Sequence, residues 1–87
     1  MTRYLEVTFR NGKPLAGYLY LPRRSEDRSA RTVSADAGLL VDFAADGRAI
    51  GIEITDPSLV TLDAINRALA IAHAEPATRD EIKPLAA

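Results

Sequence analysis

Five carboxylates in the middle of the chain, Asp36, Asp42, Asp46, Glu53 and Asp56, are the residues whose type and spacing come nearest to a reactive set. Paired carboxylates work as general acid and base, or hold a divalent cation. Asp42 and Glu53 fall in two alternating apolar–polar runs. In the register those runs predict, both project from the face opposite the isoleucines, in diagonal rows where their carboxylates approach each other. No calcium-loop pattern surrounds them, so the set reads as solvated strand faces and a turn aspartate. His73 is the single histidine. It lacks a partner for proton transfer and companions at metal-ligand spacing, and a place near a helix C-terminus suits it. Ser25, Ser29, Ser34 and Ser58 lack the elbow or base that activates a nucleophile. Gly38, Gly47 and Gly51 match neither phosphate-cradling spacing, and there is no cysteine. The residues therefore predict no catalytic group, no cofactor, no metal and no enzymatic activity; a reaction run by Asp42 and Glu53 is the competing reading.

Two other sets point to surfaces. Tyr4, Tyr18 and Tyr20 are expected to share the sheet face away from the core leucines, on neighbouring strands. Tyrosine supplies large contact area with a polar end, so such a cluster suits a subunit or partner contact. Ile71 joins it as a candidate contact, because it falls outside the apolar stripe of its helix. The second set is Arg10, Arg23, Arg24, Arg28 and Arg31, a candidate anion or nucleic-acid contact beside the tyrosines. The acidic balance of the chain, with a pI of about 5.7, argues against nucleic acid. The sequence thus predicts a protein-interaction module acting as a homodimer, with a nucleic-acid-binding module as the alternative.

Eighty-seven residues make one domain, 1–87. A chain of this size buries roughly 60–65% of its unfolded surface, a thin core that dimerisation would supplement. A hydrophobic fraction of 47% and a charged fraction of 26% are those of a globular protein. The absence of cysteine fits a reducing compartment, no apolar run approaches the roughly 18 residues of a membrane span, and the start lacks a signal-peptide core. A cytosolic location without a membrane follows as the expectation. The net charge of −1 is unevenly spread: residues 1–31 hold seven Lys/Arg against three Asp/Glu, and residues 32–87 four against nine. That division reads as a solvated loop plus an acidic tail, with a basic docking face as the alternative.

The expected fold is α+β: an antiparallel sheet of about five strands in meander order, one helix at about 62–73 on one face, and a short terminal helical turn. The centre is Leu39 to Asp56. Val41 and Phe43 alternate with polar or small residues, as do Ile50, Ile52 and Ile54, which is the pattern of half-buried strands. Asp46-Gly47 between them suits a two-residue turn with positive φ at both positions; Phe43 then faces Ile50, Val41 faces Ile52 and Leu39 faces Ile54. A four-residue loop, Ala44 to Gly47, keeps the same parity. Upstream, Thr2–Arg10 and Leu15–Leu21 read as strands joined at Asn11-Gly12, with Leu5, Val7 and Phe9 on one face. Pro22–Arg31 reads as a mobile loop, and Arg31–Ala37 as a short third strand. Asp56-Pro57 suits a first helical turn, and Thr61 caps a helix carrying Leu62, Ile65, Leu69 and Ala72 as one stripe. Glu75-Pro76 ends it. Thr78 and Glu81 form a capping box, after which Ile82 and Leu85 are placed to fold back on Ile71.

The run Val41-Asp42-Phe43-Ala44-Ala45-Asp46-Gly47-Arg48-Ala49-Ile50-Gly51-Ile52-Glu53-Ile54 resembles the core of domain-of-unknown-function family 2283. That core reads roughly hydrophobic-Asp-hydrophobic, then Asp-Gly, then Gly-hydrophobic-Glu-hydrophobic. Tyr18-Leu19-Tyr20-Leu21 is similar to the upstream strand of the family, although Phe9-Arg10 stands where members open with Tyr-Asp. The resemblance covers roughly residues 9–55. It implies a small β-rich bacterial-type protein without assigned activity, for which an antitoxin-like or regulatory partner-binding role is one expectation, and it supplies no functional residues.

Overall fold

The computed structural model describes residues 3–86. Its strands are β1 (Tyr4–Arg10), β2 (Lys13–Tyr20), β3 (Arg31–Asp36), β4 (Leu39–Phe43) and β5 (Ala49–Ile54). A 3-10 turn at Pro57–Leu59, the helix α1 (Leu62–Ile71) and a second 3-10 turn at Lys83–Ala86 follow. This is the expected α+β class, an antiparallel five-stranded sheet in meander-like order with one helix. Thr2, expected in the first strand, lies outside the described residues. The second strand begins two residues earlier than expected, and the third ends at Asp36.

The strand order is β1-β2-β5-β4-β3. Consecutive strands pair within β1–β2 and within β3–β4–β5, but the other neighbour of β2 is β5 rather than β3. Apolar content explains the choice. β5 offers Ile52 and Ile54, which face Leu19 and Gly17 across the seam, whereas Val33 is the one large apolar residue of β3. The strand with the richer apolar face takes the centre, and β3 takes an edge. The ten residues from Leu21 to Ala30 then cross three strand spacings, about 14 Å, well within reach of a chain that length.

Two of the three hairpin turns carry an Asx-Gly pair, and they differ. Asn11 (φ 53°) and Gly12 (φ 76°) both take positive φ, the primed two-residue turn. At the central hairpin Gly47 alone does so, at φ 92°. The Gly47 N–H donates to the Ala44 carbonyl at 2.9 Å, and the Ala44 N–H donates to the Arg48 carbonyl at 2.8 Å. The loop is therefore three residues, Ala45 to Gly47, neither of the two expected lengths. An odd loop would turn every later side chain to the wrong face. The strand corrects this at a bulge: pairing slips between Asp42 and Phe43, so Phe43 faces Ala49 and Ile50 is the extra residue. Below the bulge Val41 faces Ile52 and Leu39 faces Ile54, as expected. Ile50 itself is buried, but outside the main apolar cluster.

The core lies between that face and α1. Leu19, Leu21, Leu39, Val41, Phe43, Ile52 and Ile54 meet Ala64, Ile65, Ala68 and Leu69. Phe43 is 7% exposed and Ile52 fully buried; each such side chain contributes roughly 1.5–3 kcal/mol of burial. The helix rests on β3 and β4, while the terminal 3-10 turn rests on β2. Leu85 packs beside Gly17 rather than over Ile71, which stays 39% exposed. The tail is tied down by Asn66, whose Oδ1 accepts from the Ala77 N–H at 2.7 Å. Arg3 also holds it, donating to both Glu81 oxygens at 2.6 and 3.0 Å and to the Pro76 carbonyl at 3.0 Å. Glu81 is thus a salt-bridge partner more than a cap. Phe9, expected on the core face, is 48% exposed. Pairing of β2 with β5 begins only at Gly17, so no strand of the sheet continues beside the far end of the first hairpin, and only the 3-10 turns approach it.

Thr61 caps α1 as expected, its Oγ1 accepting from the Ala64 N–H at 3.1 Å. The helix ends two residues early. The Ala74 N–H donates to the Leu69 carbonyl and the His73 N–H to the Ala70 carbonyl, a Schellman closure with His73 at φ 56°. A glycine is the usual residue there, and His73→Gly is expected to relieve a left-handed cost of roughly 1–2 kcal/mol, offset by about 0.4–1 kcal/mol of unfolded-chain entropy. Thermal unfolding checks it. A rise in Tm of a few degrees is expected, and a fall would contradict this reading of the helix end.

Candidate functional site

Alternation puts Tyr4, Glu6, Thr8, Tyr18, Tyr20, Thr32, Leu40, Asp42, Gly51 and Glu53 on the sheet face away from α1. The three tyrosines meet there as expected. The Tyr4 and Tyr20 rings stack with centroids 4.6 Å apart, and Tyr18 meets Tyr20 edge-on at 4.7 Å. Tyr4 is 51% exposed. The fourth candidate contact, Ile71, is on the helix, on the other side of the sheet, and does not join them.

Asp42 organises this face. It is 4% exposed, and both its oxygens are met: Oδ2 accepts from the Tyr18 hydroxyl at 2.9 Å and Oδ1 from the Thr32 hydroxyl at 2.7 Å. Tyr18 reaches it from β2 by lying across β5. Its path is open because the residue beneath is Gly51; a Cβ there would sit 2.1 Å from the Tyr18 hydroxyl and 2.3 Å from two ring carbons. Burial and the Asp42 carboxylate push the Tyr18 hydroxyl well above the ordinary tyrosine range. Removal from water and the Glu6 carboxylate, 3.3 Å away, raise that of Tyr20. Glu53 stands beside Asp42, as the diagonal rows predicted. Its carboxyl is raised because, when protonated, it hydrogen-bonds Asp42, because it is partly removed from water, and because it faces the Asp42 charge.

The arginines do not converge. Arg23 lies over the Tyr20 ring at 5.9 Å, and Arg31 lies over Phe43, at the end of the core, at 4.5 Å. Arg28 donates to the Ser25 and Asp27 carbonyls, and the Arg24 backbone N–H donates to Asp27. Arg10 sits beside the Asn11-Gly12 turn, at the opposite end of the sheet from the others, about 20 Å away at 3.3 Å per residue. Nor is the loop that carries them loose. Asp27, a buried carboxylate, takes Arg48 through both oxygens at 2.8 and 3.1 Å. The Arg48 guanidinium, then the Arg24 N–H, hold its carboxyl below the ordinary aspartate range. The Leu21 and Ala30 N–H groups bond to the Ile50 and Phe43 carbonyls, so the expected mobile segment is pinned at both ends and in the middle.

Sequence reasoning missed Thr32, Asp27 and Arg48. The Asp27–Arg48 pair spans twenty-one positions, and nothing local marks either partner. Gly51 did carry a signal, since a glycine inside an otherwise β-branched strand marks a close approach. Among the described residues no three His, Cys, Asp or Glu side chains come together in a way that would hold a metal ion. Among the described residues no helix is long and apolar enough to cross a membrane.

The model of a family described as protein of unknown function, DUF2283, matches residues 16–58. That span runs from β2 to the turn after β5 and includes Tyr18, Tyr20, Asp42, Gly51 and Glu53, while β1 and α1 lie outside it. No curated protein and no solved structure matches the chain.

Two expectations test this geometry. Gly51→Ala forces the Tyr18 ring off β5 and strands a buried carboxylate oxygen, so unfolding experiments should find a loss of about 1–3 kcal/mol. Pairing it with Tyr18→Ala should recover part of that loss; no recovery would mean the clash lies elsewhere. The second concerns pH. The raised Glu53 carboxyl means that the folded chain binds its proton more tightly than the unfolded one. Its contribution is therefore fully present below the ordinary glutamate value of 4.5 and is lost as pH rises through the raised value. Asp27, Asp36 and Asp46 are lowered by Arg48, Arg67 and Arg48 respectively, and act in the opposite sense, losing their contribution below about 3.8. Glu53→Gln should remove the decline above 4.5 and leave the acid limb unchanged in Tm measured against pH.

Proposed function

Given that residues 16–58 match the model of the DUF2283 family, we propose that the chain is a non-enzymatic, cytosolic interaction module, a homodimer that offers its tyrosine-bearing sheet face to a protein partner. The observation that carries this reading is the Tyr4–Tyr20–Tyr18 row on a face that α1 and the tail leave open. The rings are already ordered by stacking and by the Asp42 and Glu6 acceptors, so contact with a partner costs little side-chain entropy. An aromatic patch with polar ends and carboxylates around it suits a protein surface, and a regulatory or antitoxin-like role would use it in that way. The carboxylate pair Asp42–Glu53 supports no reaction in this reading: Asp42 has both oxygens engaged by hydroxyls, and its work is to fix Tyr18.

Light scattering should return twice the 9.4 kDa of one chain. Tagged protein drawn from its own host should bring a partner that the Tyr4→Ala/Tyr20→Ala variant, still folded by circular dichroism, fails to bring. A monomer at high concentration, with the same proteins captured by both versions, would end the proposal.

A further inference from the structure

The first strand is an unguarded edge. β1 ends the sheet, and no backbone group of Tyr4–Arg10 bonds to anything beyond β2 among the described residues. It carries no proline and no lysine, the usual guards against edge pairing. It also holds two of the most exposed large side chains, Tyr4 and Phe9. The other edge, β3, offers less to a partner: its one large apolar side chain, Val33, packs against the core, and Thr32 and Asp36 are engaged by Asp42 and by Arg67 of the helix.

The geometry points to β1 as the seam between two copies of this chain, paired antiparallel about Thr8; this rests on the dimer reading above and says where that dimer joins. The Glu6 carbonyl faces β2, 3.3 Å from where a Cβ on Gly17 would stand. Alternation along an antiparallel ladder then turns the N–H and C=O of Val7 and Phe9 to the open edge. The extra residue of the first hairpin, Leu15, is on β2, so β1 itself keeps that alternation unbroken. Pairing about Thr8 sets Val7 against the Phe9 of the second copy, with reciprocal backbone bonds between them. It sets Thr8 against Thr8, and Glu6 against Arg10 twice over, once on each side of the twofold axis. Aromatic with β-branched, threonine with threonine and opposite charges are the cross-strand pairs that stabilise a sheet.

The neighbouring registers are poorer. Pairing about Glu6 sets that carboxylate against its own copy, and pairing about Val7 sets Glu6 against Thr8. Pairing about Thr8, like them, keeps faces in phase, because opposed residues have the same parity. The two helices then lie on one side of a continuous sheet. The two tyrosine rows lie on the other, with Arg10 of each copy diagonal to Tyr4 of the next. Phe9, 48% exposed in one chain, gains Val7 of the second copy as a cross-strand neighbour on the same face.

Charge exchange tests the seam. Glu6 and Arg10 are both exposed, so their exchange leaves the core alone. Glu6→Arg alone sets arginine against arginine, and Arg10→Glu alone sets glutamate against glutamate. Sedimentation equilibrium should show each single variant dissociating at roughly tenfold lower affinity or worse than the parent chain. An equimolar mixture of the two should recover a dimer, because the arginine of Glu6→Arg then meets the glutamate of Arg10→Glu at one end of the seam, and the unaltered Arg10 and Glu6 meet at the other. A parent dimer whose affinity is untouched in both variants and in the mixture overturns β1 as the seam and leaves the dimer standing. A parent chain that sediments as a monomer overturns both.

Discussion

A carboxylate taken almost wholly out of water must be met by donors, and Asp42 is met by hydroxyls from strands on either side of its own: Thr32 from the adjacent β3, and Tyr18 from β2, two places away. For Tyr18 to arrive, β2 must lie beside β5, and β5 must carry no side chain where the ring crosses. Gly51 meets the second condition, and the strand order meets the first. The same order places Leu19 against Ile52 on the other face. One polar contact and one apolar contact, on opposite sides of a single seam, therefore require the same arrangement. That agreement between levels is what gives a sequence a unique fold. The buried carboxylate contributes more through the arrangements it forbids than through its own hydrogen bonds.

The elements were legible because their periods are short-range. Val41, Ile52 and Ile54 announced a strand face, and Ile65 and Leu69 behind Thr61 announced a helix, all within a few residues. The class, the central pairing below the bulge and the tyrosine cluster followed from parity alone. What was not legible depends on contacts that no window spans. Asp46-Gly47 and Asn11-Gly12 look alike on paper. Asn takes the left-handed region more readily than Asp, and only the first hairpin forms a primed turn. The longer central loop then needed Ile50 as a bulge to put Ile52 back on the core side. The place of β2 beside β5 was hidden because it depends on the poor apolar content of β3 relative to β5, a comparison between strands rather than a property of either. Asp27 and Arg48 were hidden for the same reason.

Coverage of the sheet is uneven. The helix lies over β3 and β4, the terminal turn over β2, and β1 is held by its pairing with β2 and by the Arg3 clamp on the tail. The matched family segment begins at Ala16, inside β2. The elements that finish the core, and those that leave an edge open, are thus supplied by the flanks on either side of it. Within the segment lie the buried acid, its glycine and the two tyrosines nearest to it.

The chain has three tyrosines and no tryptophan, and all three rings stand on the open face with none in the core. Tyrosine emission from this protein therefore originates entirely at the candidate contact surface. Two of the phenols lie against carboxylates, a setting in which light-driven proton loss dims the signal. A molecule settling on that face would announce itself optically without a label, while events among the buried aliphatic side chains would pass unseen.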